Sequence, residues 1–401
     1  MLVTIQPSTI SGATVAPASK SSMQRACAAA LLSKGITTIL NPGSSNDDKA
    51  ALDVITKLGA SILSIGPAEV VITSEGVQPV GEELNCGESG LGIRMFTPIA
   101  ATSGNSLRVT GTGSLLTRPM HFFDEIFPTL GISIRSNNGF LPFDIRGPLR
   151  PASITIDGSL SSQFLTGLLM AFGAAGAGDA QITVDNLKSK PYIDLTISVM
   201  REFGITVEHD DYRVFRFPVE GEAFTPCIYQ VEGDWSGGAF LLIAGAVAGS
   251  VRIEGLDPAS TQADKAILQA LRSAGAALTI EGTNIECGPA PLKSFHFDAT
   301  DCPDLFPPLV ALAAHAAGVS EITGVSRLAH KESNRGVTLK EEFAKLGIRI
   351  DLDGDLMKVH GSKDLHGNAV HSRHDHRIAM ACAVAALAAK GKTIVHDAEA
   401  I

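Results

Sequence analysis

Five glycines recur at nearly constant intervals, and this constrains the fold more than any other feature. Gly59, Gly131, Gly204, Gly275 and Gly347 are separated by 72, 73, 71 and 72 residues. Each follows a segment such as KAALDVITKL or LKEEFAKL and precedes a run rich in β-branched residues. A glycine in that place is the left-handed residue that closes a helix before the chain turns into a strand. The preceding segments alternate polar and apolar residues at helical spacing, so they read as surface helices. Six further segments are interleaved: Lys20–Leu40, Glu88–Val109, Ser161–Val184, Asp234–Ile253, Asp301–Ile322 and Asp375–Val395. Their helical parts are apolar nearly all round, so each must be interior.

The unit is a buried helix, a strand, an exposed helix and a strand, in about seventy residues. Six copies imply two domains of three. The expected fold is α/β (α+β), with two pseudo-three-fold domains whose buried helices are surrounded by sheet, an inside-out α/β barrel. The expected division is residues 1–19 plus 233–401 for one domain and 20–232 for the other.

Hydrophobic residues make up 45% of the 401 and charged residues 18%, which excludes wholesale disorder. The net charge of −10, with no long basic run, argues against a nucleic-acid binder. The longest apolar runs, Ala239–Val251 and Ile378–Ala389, are shorter than the roughly 18 residues a membrane span needs. No signal peptide is evident in MLVTIQPSTISG. Six cysteines without CxxC or framework spacing point to a reducing, cytoplasmic location. Low aromatic content, 5%, leaves a monomer as the default.

Polar residues cluster where helices are expected to begin. Buried helices open with Lys20-Ser21-Ser22, Glu88-Ser89-Gly90, Ser161-Ser162-Gln163 and Asp375-His376-Arg377. Surface helices open with Thr117-Arg118-Pro119, Ser189-Lys190-Pro191-Tyr192 and Lys331-Glu332-Ser333-Asn334-Arg335. Any one Ser or Asp there is explained as an N-cap. Capping does not require Lys20, Arg25, Arg118, Arg335 and Arg377 at matching ends, and helix starts are natural anion sites. If they converge, they make an electropositive site for an anionic substrate.

Lys20, Asp304 and Glu332 are the candidate acid–base groups. In DCPDLFPP, Asp301 is expected to cap the helix and Asp304 to enter its first turn. Glu332 and Arg335 are also spaced for a plain surface ion pair. Gly391-Lys392-Thr393 fails as a phosphate loop, because it ends a helix and enters a strand. His371, His374 and His376 lack the Cys pair or HExxH helix of a zinc site. No nucleophile elbow supports covalent catalysis.

With these residues in view, the sequence resembles the EPSP synthase (3-phosphoshikimate 1-carboxyvinyltransferase) family of enolpyruvyl transferases. The matching stretches are ATVAPASKSSMQRA at 13–26, GESGLGIR at 87–94, TRPM at 117–120, SSQF at 161–164 and SKPYID at 189–194. Further on come VEGDWS at 231–236, PDLFPPLVALAA at 303–314, KESNR at 331–335 and DHRIAM at 375–380, all in family order. The resemblance implies two similar domains closing like a clamp on an active site in the cleft between them. It implies transfer of the enolpyruvyl group of phosphoenolpyruvate to the 5-hydroxyl of shikimate 3-phosphate, with no metal or organic cofactor.

By the same resemblance, Lys20, Ser21, Arg25, Ser161, Ser162, Gln163, Ser189, Tyr192, Asp304 and Lys331 would hold shikimate 3-phosphate. Lys20, Gly90, Arg118, Gln163, Arg335 and Arg377 would hold phosphoenolpyruvate. Asp304, with Lys20, would accept the hydroxyl proton, and Glu332 would protonate the methylene carbon. The sequence departs from the family pattern at Glu88 (often Asn), Leu91 (usually Thr) and Ala329-His330 (usually Arg-Val). It ends at Ile401, before a lysine-bearing segment that contacts phosphoenolpyruvate in the family. Three other readings are a UDP-N-acetylglucosamine enolpyruvyl transferase, a non-catalytic phosphate-binding protein on the same fold and an RNA-end-processing enzyme. The first lacks its usual Cys in Gly111–Arg118.

Overall fold

The computed structural model describes residues 1–329 and 331–401; His330, one of the departures noted above, lies outside the described residues. The chain divides into two compact units: Met1–Pro17 with Gly233–Ile401 (unit 1), and Ala18–Glu232 (unit 2). Ala18 and Ser19, expected with the first domain, belong to unit 2. The reason is local: the Ser19 side chain accepts a hydrogen bond from the Ser22 amide and so caps the first helix.

Unit 2 contains α1 (Lys20–Leu32), α2 (Asn46–Lys57), α3 (Gly90–Ala100), α4 (His121–Ile126), α5 (Ser162–Ala175) and α6 (Lys190–Glu202). Helices α1, α3 and α5 pack on one another, and every residue of α3 is buried. By contrast α2, NDDKAALDVITK, buries only one stripe, formed by Asp48, Ala51, Leu52, Val54 and Ile55. Ser45 and Asp48 form a capping box at its start. The difference follows from composition. A helix that is apolar nearly all round gains by burying its whole circumference, whereas an amphipathic one gains only from its apolar face.

Three four-stranded sheets complete unit 2, each with the same internal order. In the first, Ile228–Gln230 runs parallel to Lys34–Leu40, which pairs antiparallel with Glu69–Glu75, itself antiparallel to Ser61–Ile65. The second uses Glu83–Asn85, Ser106–Thr110, Phe140–Arg146 and Ser133–Asn137 in the corresponding places. The third uses Ile154–Asp157, Ile182–Asp185, Val214–Arg216 and Glu208–Asp210. Two of the parallel pairs, Glu83–Asn85 with Ser106–Thr110 and Ile154–Asp157 with Ile182–Asp185, are joined through a buried helix, since a parallel crossover needs a long connection.

Unit 1 contains α7 (Trp235–Ala248), α8 (Ile267–Ala274), α9 (Phe306–Ala314), α10 (Arg335–Lys345) and α11 (His376–Ala386). Helices α7, α9 and α11 are its mutually packed interior. Two of its sheets repeat the four-stranded order, and the third has three strands, with Ala369–His371 parallel and Leu2–Ile5 antiparallel to Thr393–His396. The structure is therefore mixed α/β with one sheet per repeat. The five marker glycines all have positive φ, from 75° to 110°. No helix among the described residues is long and apolar enough to cross a membrane.

Candidate active site

In unit 2 the starts of the buried helices are tied together by polar side chains. Ser89 caps α3 through the Gly92 amide, and its hydroxyl also donates to Gln24 Oε1 of α1 at 2.9 Å. Arg94 Nη1, one turn into α3, donates to Gln163 Oε1 at 2.8 Å, and its guanidinium lies 5.1 Å from the Phe164 ring centroid. Gly90 sits against this group: a Cβ there would stand 2.6 Å from Arg118 Nη1 and 3.2 Å from Arg94 Nη1. Any larger residue at 90 would displace the guanidinium groups. Gly90, Arg118 and Gln163 thus converge, and Arg94 joins them. Sequence reasoning did not select Arg94, although its i+4 spacing from Gly90 puts both on one helix face.

Arg118 does not open a surface helix as expected. It follows a 3₁₀ turn, Gly113–Thr117, in extended conformation, and α4 begins only at His121. Pro119 has no amide hydrogen to give a helix and pushes the residue before it toward extended backbone. The departure at Glu88 acquires a role here. Its carboxylate accepts the Ser114 amide at 3.2 Å, and Ser114 Oγ accepts from Arg118 Nη2 at 3.1 Å. Leu91, the neighbouring departure, is simply buried.

Lys20 Nζ lies 2.9 Å from Asp47 Oδ2 at the start of α2. Arg25 is 1% exposed, and its guanidinium donates to Thr196 Oγ1 at 2.9 Å, Ser21 O at 2.8 Å, Tyr192 O at 3.2 Å and Thr166 Oγ1 at 3.5 Å. Among the described residues it therefore ties α1 to α5 and α6 through neutral oxygens, and burial lowers its pKa to about 10. Ser161 caps α5 through the Gln163 amide, and Ser162 beside it is buried. Ser189 takes the N-cap position of α6 in left-handed conformation and does not cap with its side chain.

Unit 1 gathers the remaining candidates into one charged network. Asp304 Oδ1 meets Arg335 Nη1 at 2.6 Å and Lys331 Nζ at 3.1 Å, while Oδ2 meets Arg377 Nη2 at 3.3 Å. Arg335, 1% exposed, also pairs with Glu332 and with the fully buried Asp375, at 2.8 Å through Nε. Asp375 in turn accepts the Arg377 amide as the cap of α11 and the Ser333 hydroxyl. Burial alone would raise the Asp304 carboxyl. The combined charges of Arg377, Lys331 and Arg335 outweigh burial and hold it well below the usual carboxylate range. Burial lowers Lys331 despite Asp304 beside it.

Two local expectations need correction. Cys302, not Asp301, precedes the 3₁₀ turn Pro303–Leu305 that carries Asp304, and no side chain caps it. Residues Lys331–Ser333 lie before α10, which begins at Arg335 under the Asn334 cap. His371 and His374 both face Asp397, with Nε2 at 3.1 and 3.5 Å from its Oδ2.

Comparison with known proteins identifies the family. The family model described as EPSP synthase (3-phosphoshikimate 1-carboxyvinyltransferase) matches residues 5–401. The 3-phosphoshikimate 1-carboxyvinyltransferase of Methanocorpusculum labreanum is 37% identical, over 99% of this chain and 94% of its own length. That of Aeropyrum pernix is also 37% identical, over 97% and 89%. The solved EPSP synthase of Acinetobacter baumannii superposes with a TM-score of 0.83 at 25% identity, covering 99% of this chain and 94% of that one. The enolpyruvyl transferase NikO from Streptomyces tendae, at 19% identity and TM-score 0.78 over 100% and 94% of the two chains, shares the fold. The chain belongs to the EPSP synthase (3-phosphoshikimate 1-carboxyvinyltransferase) family.

Proposed function

We infer that this chain transfers the enolpyruvyl group of phosphoenolpyruvate to the 5-hydroxyl of shikimate 3-phosphate and releases phosphate, a step of aromatic amino-acid biosynthesis through the shikimate pathway. It works in the cytoplasm as a monomer on two small anionic substrates. Lys20, Ser21, Arg25, Ser161, Ser162, Gln163, Ser189 and Tyr192 of unit 2 and Asp304 and Lys331 of unit 1 hold shikimate 3-phosphate. Lys20, Gly90, Arg118 and Gln163, with Arg335 and Arg377, hold phosphoenolpyruvate.

Addition forms a bond from the 5-oxygen to C2 of phosphoenolpyruvate while a proton joins C3. Asp304, with Lys20, takes the hydroxyl proton, and Glu332 supplies the proton to C3. Fixed cations hold the phosphates and carboxylates of the resulting tetrahedral adduct. Elimination then returns a C3 proton to Glu332 and breaks the bond between C2 and the bridging phosphate oxygen, and phosphate leaves with the proton that Asp304 and Lys20 took from the hydroxyl.

The observation that carries this reading is the pairing of Asp304 with three cations. Without substrate these cations suppress its basicity. A phosphate or carboxylate that draws Lys331, Arg335 and Arg377 toward itself leaves Asp304 free to accept a proton. The base is thus activated by the substrates it serves.

The test is phosphate release from phosphoenolpyruvate, with and without shikimate 3-phosphate, for the wild-type chain and Asp304→Asn. Release needing both substrates, and falling on the order of 10²-fold or more in the variant, supports the assignment. Release that needs UDP-N-acetylglucosamine instead, or none with either acceptor, overturns it.

A further inference from the structure

One buried carboxyl group in unit 1 has no part in the roles above. Asp264 lies in the 3₁₀ turn Ala263–Ala266, just before α8, and is 1% exposed. One of its oxygens accepts the hydroxyl of Ser236, in the first turn of α7. The other, Oδ1, is buried and takes no hydrogen bond among the described residues. Among the described residues no cation pairs with it within ion-pair distance. Its turn is anchored by Gln262, which donates to Gly233 O and accepts the Trp235 amide, so the carboxyl is held at a fixed place beside the start of α7.

The groups that act on it electrostatically are Asp304 before α9, Arg377 in the first turn of α11, Asp234 at the cap of α7, and Cys302. Asp304 and Arg377 are the pair described above. Around them the formal charges balance, with Lys331, Arg335 and Arg377 against Asp304, Glu332 and Asp375. An ionised Asp264 would add one negative charge to a set that has to receive anionic substrates. It would also compete with Asp304 for Arg377. An ionised carboxylate with one hydrogen bond and one bare oxygen is costly to bury, whereas the acid form is not.

We propose that Asp264 is a positioning residue that works in its protonated form, leaving Arg377 to Asp304 and to the incoming anion. Burial and then the negative charge of Asp304 push its carboxyl up to about 7, against the opposing pulls of Arg377 and the Ser236 hydroxyl. Two carboxyl groups whose ionisations are driven apart in this way can take separate tasks, one charged and one neutral. The inference rests on the reading that Asp304 and Arg377 engage the substrates.

The experiment is the pH profile of kcat/KM for phosphoenolpyruvate, at saturating shikimate 3-phosphate, for wild type and Asp264→Asn. Asparagine matches the neutral acid in shape and keeps an acceptor for Ser236. Wild type should decline by about fivefold or more as pH rises through about 7, as one ionisation near neutrality requires. The Asn variant should stay within about threefold of wild type on the acid side and lack that decline. The same decline in both proteins, or a loss of about a hundredfold in the variant at every pH, overturns the proposal. Carboxyl ¹³C NMR titration of the wild-type protein reads the ionisation with no substitution, and a midpoint in the ordinary carboxylate range also overturns it. Arg377→Lys is the separate check on the underlying reading: an unchanged KM for phosphoenolpyruvate would remove Arg377 from the substrate site, whatever Asp264 does.

Discussion

Arg335 Nη1 and Asp304 Oδ1 lie 2.6 Å apart, and the same guanidinium reaches the fully buried Asp375 through Nε at 2.8 Å. A single arginine thereby joins the carboxylate assigned to proton transfer to the carboxylate that caps α11 and presents Arg377. Its fork of fixed donors suits that double task in a way a lysine would not.

Arg335→Met should therefore destabilise unit 1 strongly, because it leaves Asp375 buried without its cation. A cost of about 3–5 kcal/mol is expected for breaking a buried pair from one side. Urea unfolding followed by far-UV circular dichroism measures it, and a change under about 1 kcal/mol would contradict the buried pairing.

Stability should depend on pH in opposite senses at the two carboxyls of this network. The folded value of Asp304 lies below its unfolded value, so its contribution is present above the ordinary carboxylate range and lost as pH falls through the depressed value. For Asp264 the folded value of about 7 lies above the unfolded one, so its contribution is complete at low pH and lost as pH rises toward 7. That loss is of order 4 kcal/mol. Asp264→Asn should abolish it, so the stability difference between variant and wild type should grow from about pH 4 to about pH 7. Unfolding midpoints across that range measure the difference.

Helices α3 and α5 approach closely at Gly167, where a Cβ would stand 2.5 Å from the Arg94 carbonyl oxygen and 2.9 Å from Met95 Cα. These are backbone atoms that cannot rotate away. Gly167→Ala should cost about 1–3 kcal/mol despite its better helix propensity. A stabilised variant in thermal unfolding would show that the helices separate readily.

Thiol labelling should distinguish one cysteine from the other five. Burial pushes the thiols of Cys27, Cys86, Cys287, Cys302 and Cys382 far above their ordinary value, and all five are buried. Cys227 is partly exposed. A disulfide reagent should modify Cys227 alone in the native protein and all six thiols after unfolding, as mass spectrometry would show.

Glu88 acts on Arg118 through Ser114, so Glu88→Ala should raise the KM for phosphoenolpyruvate by roughly three- to tenfold, the loss of one or two modest hydrogen bonds. The KM for shikimate 3-phosphate should change little. Glu88→Gln, which keeps an acceptor for the Ser114 amide, should restore most of the effect. Equal loss in both variants would point to the charge rather than the strut.

The repeat was readable in the chain because it depends on local chemistry. Positive φ at Gly59, Gly131, Gly204, Gly275 and Gly347 follows from helix termination, and whole-circumference burial of α3 follows from composition. The clustering of cations at helix starts was readable for the same reason. Proline at 119 made the path at Arg118 readable too, yet the expected reading placed it in the first turn of a helix, where proline is also tolerated. The second surface-helix position of unit 2 is instead divided among a 3₁₀ turn, the short α4 and a second 3₁₀ turn.

What only the tertiary structure decided are the relations between residues far apart in sequence. Asp264 and Asp304 interact across forty positions, and Arg25 finds its acceptors on α5 and α6. Neither has a spacing that periodicity can detect. Whether a carboxyl stays charged depends on burial and on which cations reach it, and both are set when separate helices pack. The sequence alone determined which elements form and what chemical groups they carry; packing determined which of those groups share a low-dielectric interior, and therefore how they titrate.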